Sequence, residues 1–164
     1  MFNGIQDRIQ SMAMIHETLY DTKDFSRIEL SRYVHALSQS LFNTHNINPG
    51  KIELTILTDG PVYVDITKAI PCGLVLNELI CNALKHAFPR RRKGNLQIII
   101  SETKKAKIAI VVRDNGAGLP DNIDILKPQT LGLELVKGLV KYQLNGQIKV
   151  RRDNGTEIRI IFPI

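Results

Sequence analysis

Asn77, Glu78, Asn82, Lys85 and His86 all fall within one stretch, NELICNALKHAF, at residues 77–88. A carboxylate can orient or deprotonate a nucleophile, an amide oxygen can ligate a hard cation, and a lysine can face a phosphate as a point charge. Leu76, Leu79, Ala83 and Ala87 recur at helical spacing, so the stretch reads as a helix with one apolar face. At ~100° per residue, Glu78, Asn82 and Lys85 fall within roughly 60° of one another on the helix surface. An acid, an amide and a cation are thereby gathered on one side.

Three further features bear chemistry. In DNGAG, Asp114 ends a strongly apolar strand, and Gly116 and Gly118 follow. In TLGLELV, Gly132 stands at a helix start, and NGTEI places Gly155 and Thr156 inside the last hairpin. Each has a plain structural reading: Asp-Asn-Gly is a common turn, and a glycine at a helix start gives flexibility. Each also has a chemical one. A carboxylate at a strand end can hold a ligand's amino group while glycines let backbone approach that ligand, and helix-start amides can hold phosphate. The lysine-bearing loop G-x-x-x-x-G-K-[ST] is absent.

The elements that must position these groups follow from periodicity. Phe2, Ile5, Ile9, Met12, His16 and Leu19 form a heptad seam suited to packing lengthwise on another helix. Fewer than three heptads cannot stand alone, so this helix needs a partner, either in a dimer or from a neighbouring helix. DTKDFSRIE is a polar connector, and a second amphipathic helix starts near Ser31 with Leu30, Val34, Leu37 and Leu41 inward. KIELTIL reads as a strand, Asp59-Gly60-Pro61 as a turn and VYVDI as a short strand. A helix then spans about Ala69–Ala87, with Pro71 in its first turn. LQIIISET and AKIAIVVRD pair as neighbours, NGAGLPDNIDILKPQT is loop, and a helix covers about Leu131–Leu144. A hairpin turning at Asp153-Asn154-Gly155 closes the chain. This order predicts an α+β two-layer sandwich with helices on one face of a mixed sheet, and not a doubly wound fold.

Taken in this order and spacing, the motifs resemble those of the Bergerat-fold ATPases, the superfamily of gyrase, heat-shock chaperones and sensor histidine kinases. The resemblance runs from about Leu74 to Phe162. NELICNALKHAF is similar to the N-box, DNGAGLP to the first glycine box, TLGLELV to the second and Gly155-Thr156 to the final motif. Within that superfamily the chain resembles histidine kinases of the HWE-related class, in which N-E-L-x-x-N-A-x-K-H-A-F is characteristic. The Trp-x-Glu of HWE proper is missing, as the chain has no tryptophan. That favours the sister class, whose phosphoacceptor histidine sits in H-R-x-K-N-N on a preceding helix. RIQSMAMIHETLY is similar to the second helix of the dimerisation and phosphoacceptor domain of such kinases.

The resemblance implies ATP and Mg²⁺ as cofactors. Asn82 would ligate Mg²⁺, Lys85 would face the phosphates and His86 would lie near ribose or phosphates. Asp114 would accept from the adenine amine, supported by Thr156 through water, with Gly116 and Gly118 clearing space for the base. Gly132 and Leu133 would belong to the phosphate-binding helix start, under a lid from about Pro120 to Thr130. Glu78 stands where ATP-hydrolysing relatives carry a general base. It is either such a base or orienting acid, or a partner of lysine or metal-bound water without proton transfer. Asn77 would be structural. The second glycine box departs from G-x-G-L, reading Thr130-Leu131-Gly132-Leu133, which puts lid geometry in question.

HET at His16 matches H-E-[LF]-R-T-P for two residues only, and His16 lies in the apolar seam, so it reads as an interface residue and not as a phosphoacceptor. His35, His45 and His86 lack the H-R-x-K-N-N context too. The resemblance therefore implies a fragment: residues 1–22 as the second helix of a dimerisation domain, and residues 28–164 as an ATP-binding catalytic domain. It would transfer the ATP γ-phosphoryl to a histidine outside the fragment, dimerise through the N-terminal helix in the full-length protein and serve a response-regulator receiver domain. Two alternatives are a non-catalytic nucleotide-sensing dimerisation module and an ATPase or anti-sigma-type serine kinase using Glu78 as base.

Composition agrees with one globular domain, or one domain with a short appendage: 164 residues, 43% hydrophobic and 23% charged. No apolar run approaches the ~18 residues of a membrane span, which predicts a cytoplasmic chain or the cytoplasmic piece of a larger one. Cys72 and Cys81 have neither metal-ligand nor disulfide spacing and read as buried thiols. Much of the +6 net charge sits in PRRRKG, bracketed by Pro89 and Gly94 and without interleaved aromatics. It reads as a solvated turn and not as a nucleic-acid surface.

Overall fold

The computed structural model describes residues 27–89, 93–120 and 130–164, together with Ala13, Ile123 and Ile125. The whole heptad seam, with His16, lies outside the described residues, as do Arg90–Arg92 and most of the lid.

A five-stranded mixed sheet has the order β2-β4-β5-β7-β6, formed by β2 (Ile52–Thr58), β4 (Gly94–Thr103), β5 (Lys107–Asp114), β6 (Gln147–Arg151) and β7 (Thr156–Pro163). β2 and β4 run parallel and every other pair is antiparallel. Alternation selects the core face: Leu96, Ile98 and Ile100, then Ile108, Ile110 and Val112, then Ile158, Ile160 and Phe162 are all buried. Helix α1 (Leu30–Thr44) buries Leu30, Val34, Leu37 and Leu41, the inner face that the periodicity predicts.

Helix α2 (Ile66–Asn82) begins three residues before the expected start. The cause is Asp65, whose carboxylate accepts from the Lys68 amide at 3.1 Å and from the Thr67 hydroxyl at 2.5 Å. That cap ends the expected strand VYVDI early, leaving β3 as Tyr63–Val64 and putting Pro71 beyond the first turn. β3 pairs with β1 (Ile28–Glu29), a strand within the stretch read as a polar connector. After Asn82 the helix continues as a π turn, Ala83–Ala87, and α3 (Leu131–Gly138) likewise passes into a π turn at Leu139–Gln143.

α1 lies on α2 and runs in the same direction. Tyr33 fills the notch at Gly73, where an added Cβ would come within 1.6 Å of its hydroxyl oxygen. Further along, His45 Nε2 is 3.4 Å from Cys81 Sγ. Both cysteines are buried free thiols, as expected, and burial raises the Cys72 thiol far above its ordinary range.

Candidate functional site

The sheet and α2 enclose a cavity of about 960 Å³. Leu79, Asn82, Ala83 and His86 form its helical wall, and Val112, Asp114, Thr156 and Ile158 its floor. Gly116 and Gly118 line the turn after β5, while Thr130 and Leu133 reach the cavity from the start of α3. Seven of the ten candidate catalytic and ATP-site residues thus converge: Asn82, His86, Asp114, Gly116, Gly118, Leu133 and Thr156.

Asp114 is held by its neighbours in the sheet. As the last residue of β5 it stands opposite Thr156, the first of β7. Its Oδ1 accepts from the Gly116 amide at 2.9 Å and the Thr156 amide at 3.3 Å. Burial pushes its carboxyl pKa up, and the hydrogen bonds from those two amides and the Thr156 hydroxyl partly offset this. A buried acid ringed by donors is a specific acceptor for an amino group.

The glycines are required by close approach. A Cβ at Gly116 would meet the Ala87 carbonyl oxygen at 2.2 Å, and the next amide, Ala117, donates to that oxygen at 2.7 Å. The turn after β5 is thereby tied to the end of the α2 π turn. Gly155, at φ +119, backs onto the Asp114 carbonyl, leaving 2.0 Å for a Cβ.

Glu78, Lys85 and Gly132 are not among the cavity-lining residues. For Lys85 the π turn is the reason. A π turn holds more residues than an α turn, so each advances less than ~100° about the axis. Counting from Asn82, the third residue then falls further round while the fourth, His86, stays beside it. Gly132 is buried, and a Cβ there would lie 1.8 Å from Glu78 Oε1, so the Glu78 carboxylate occupies the place of the missing side chain. Asn77 is 1% exposed, in keeping with a structural role. At the departure from G-x-G-L, Thr130 is the N-cap of α3, its hydroxyl accepting from the Leu133 amide at 3.4 Å. One helix-start amide is therefore engaged by the chain itself.

Two polar cavity residues for which the sequence reading had no chemical role are Arg152 and Asn154, both on the β6–β7 hairpin. Arg152 Nη2 donates to the Ile123 carbonyl at 2.6 Å, joining the hairpin to the segment after Pro120. Local spacing marks Asn154 only as a turn residue and does not mark Arg152. Among the described residues, no three His, Cys, Asp or Glu side chains gather as a metal cage. Asn82 supplies a neutral oxygen donor at the cavity wall, a fit for a cation that keeps waters and bridges phosphates.

A mixed sheet covered on one face, with a cavity between its helical layer and a buried strand-end aspartate, defines an ATP-binding domain of the Bergerat type. The chain belongs to the histidine kinase-, DNA gyrase B- and HSP90-like ATPase family, whose model matches residues 67–164. A second model, described as histidine kinase, matches residues 1–45. The chain is 28% identical over 160 residues to the sensor histidine kinase PdtaS of Mycobacterium tuberculosis, covering 96% of this chain and 31% of that protein. The histidine kinase domain of the Erythrobacter litoralis EL346 blue-light activated histidine kinase superposes with a TM-score of 0.85 at 25% identity, over 96% of this chain and 73% of that one. The histidine kinase ThkA, solved in complex with the response regulator TrrA, shares the fold at 21% identity and a TM-score of 0.62, over 98% of this chain and 49% of that one. The chain spans less than half the length of the curated relatives it matches. The domain is thus the catalytic ATPase module of the histidine kinase type. Among the described residues no helix is long and apolar enough to cross a membrane.

Proposed function

We propose that the chain is the ATP-binding catalytic portion of a cytoplasmic two-component sensor histidine kinase, with residues 28–164 as the ATP-binding domain. Residues 1–22 are the second helix of a dimerisation domain, through which the full-length protein forms a homodimer. The γ-phosphoryl of ATP passes to a histidine outside this chain: a P–N bond forms, the bond to the β-phosphate oxygen breaks and ADP leaves. A response-regulator receiver domain then takes the phosphoryl group. Catalysis of this kind rests on positioning and charge stabilisation.

The buried, amide-held Asp114 at the cavity floor is the observation that carries this reading. It accepts from the exocyclic amine of adenine, with Thr156 supporting the contact and Gly116 and Gly118 leaving room for the base. Asn82 holds Mg²⁺, which neutralises phosphate charge when bound. His86 lies by the ribose or phosphates, and Leu133 lies with Gly132 at the phosphate-side helix start. Lys85 contributes as a point charge beyond the cavity wall. Calorimetric titration with Mg·ATP tests the reading. Wild-type protein binds ATP in preference to GTP, and Asn82→Ala abolishes the Mg-dependent part. An Asn82→Ala protein that titrates like wild type sinks the assignment.

A further inference from the structure

Of the three site candidates that do not line the cavity, Glu78 and Gly132 stand against one another. On α2, Leu79 and Asn82 line the cavity while half-buried Glu78 does not; on α3, Thr130 and Leu133 line it while buried Gly132 does not. The pair therefore lies behind the wall, where α2 meets α3. The fit is close: a Cβ at Gly132 would meet Glu78 Oε1 at 1.8 Å, Cδ at 2.5 Å and Cγ at 3.2 Å. A carboxylate beside the first turn of a helix is also favoured by the dipole.

Two demands on Glu78 are incompatible here. A general base must stand within hydrogen-bond reach of the proton it takes, directly or through one water. A carboxylate lodged against Gly132 is held between two helices instead. Taking the ATP-site reading as its basis, we infer that Glu78 is a positioning residue: its carboxyl group fills the Gly132 notch and sets where the start of α3 stands against α2. It acts on the nucleotide through that helix start. Thr130 supports the same end by capping the Leu133 amide. The glycine at position 132 is then explained by Glu78, because a Cβ there would claim the space that the carboxyl group fills.

The test uses the full-length kinase that contains this chain together with its phosphoacceptor histidine, with KM for ATP, kcat and thermal midpoint measured for each variant. Glu78→Gln keeps the shape of the strut, so KM and kcat stay within about threefold of wild type. Glu78→Ala empties the notch, and Gly132→Ala pushes the carboxyl group out of it. Each raises KM for ATP about tenfold with a smaller change in kcat, and the double variant is no worse than either, as coupled neighbours require. Three results overturn the inference. One is a collapse of kcat in Glu78→Gln at unchanged KM, the signature of a base. Another is independent, multiplying effects in the double variant. The third is tighter ATP binding by Glu78→Ala, which makes the carboxylate a competitor of the phosphates. A wild-type protein that fails to bind ATP removes the underlying reading as well, and is distinguished by the titration alone.

Discussion

Asp114 and Thr156 are partners across the β5–β7 ladder, and the Thr156 amide donates to Asp114 Oδ1 at 3.3 Å. The same ladder that builds the core thus builds the acceptor. Ile110 and Val112 on β5, and Ile158 and Ile160 on β7, fix the register in which Asp114 meets Thr156. A one-residue slip would turn every one of these side chains to the opposite face.

Asp114→Asn is expected to abolish selective ATP binding without unfolding the protein. The sign of its pH effect follows from the raised carboxyl pKa. Between the unfolded and folded pKa values the folded state binds more protons, so stability falls as pH rises through that interval. Below the interval Asp114 contributes no pH dependence, and above it the buried charge is a fixed cost. Thermal midpoints across acidic pH should show this slope in wild type and lose it in Asp114→Asn, whose neutral pH midpoint is equal or higher.

Gly155→Ala should destabilise the domain by roughly 2 kcal/mol or more, because φ +119 is strained for alanine and the Cβ meets the Asp114 carbonyl. Urea unfolding reads the loss. Gly138→Ala is the control, with nothing within 4 Å of the added methyl.

Tyr33→Phe should raise stability by about 1 kcal/mol. Among the described residues the Tyr33 hydroxyl is buried with no hydrogen-bond partner, and burial raises its pKa well above the ordinary tyrosine range. Gly73→Ala, which drives a methyl into that hydroxyl, should cost about 1–3 kcal/mol. Chemical denaturation of the two variants should therefore move in opposite directions.

Asp65→Ala removes the α2 cap and should cost about 1 kcal/mol. The Thr67 hydroxyl, more than any other neighbour, lowers the Asp65 carboxyl pKa. This contribution is therefore present above the ordinary aspartate pKa and is lost as pH falls through the lowered one. The wild-type and variant midpoints should converge in strong acid.

Much of this was legible in the residues. The apolar runs marked β4 and β5, the Asp153-Asn154-Gly155 turn marked β6 and β7, and the four motifs named residues that form the cavity floor and helical wall. What escaped depends on geometry that spacing does not carry. A regular α-helical wheel placed Lys85 beside Asn82, but a π turn begins one residue after Asn82 and moves it round. The start of α2 moved because one aspartate capped where a strand was expected to run on. Glu78 and Gly132 stand 54 positions apart, from 78 to 132, and no local pattern announces that one fills the notch of the other. Arg152 reaches the cavity only because the hairpin folds back over it.

The parallel seating of α1 on α2 has a mechanical meaning. Tyr33 in the Gly73 notch pins one end, and His45 against Cys81 pins the other, one residue before Asn82. Two contacts so spaced along parallel helices oppose both sliding and swivelling of α1 against α2. The second contact lies one residue from Asn82, so the place of the proposed cation ligand is fixed by α1 as much as by the helix that carries it.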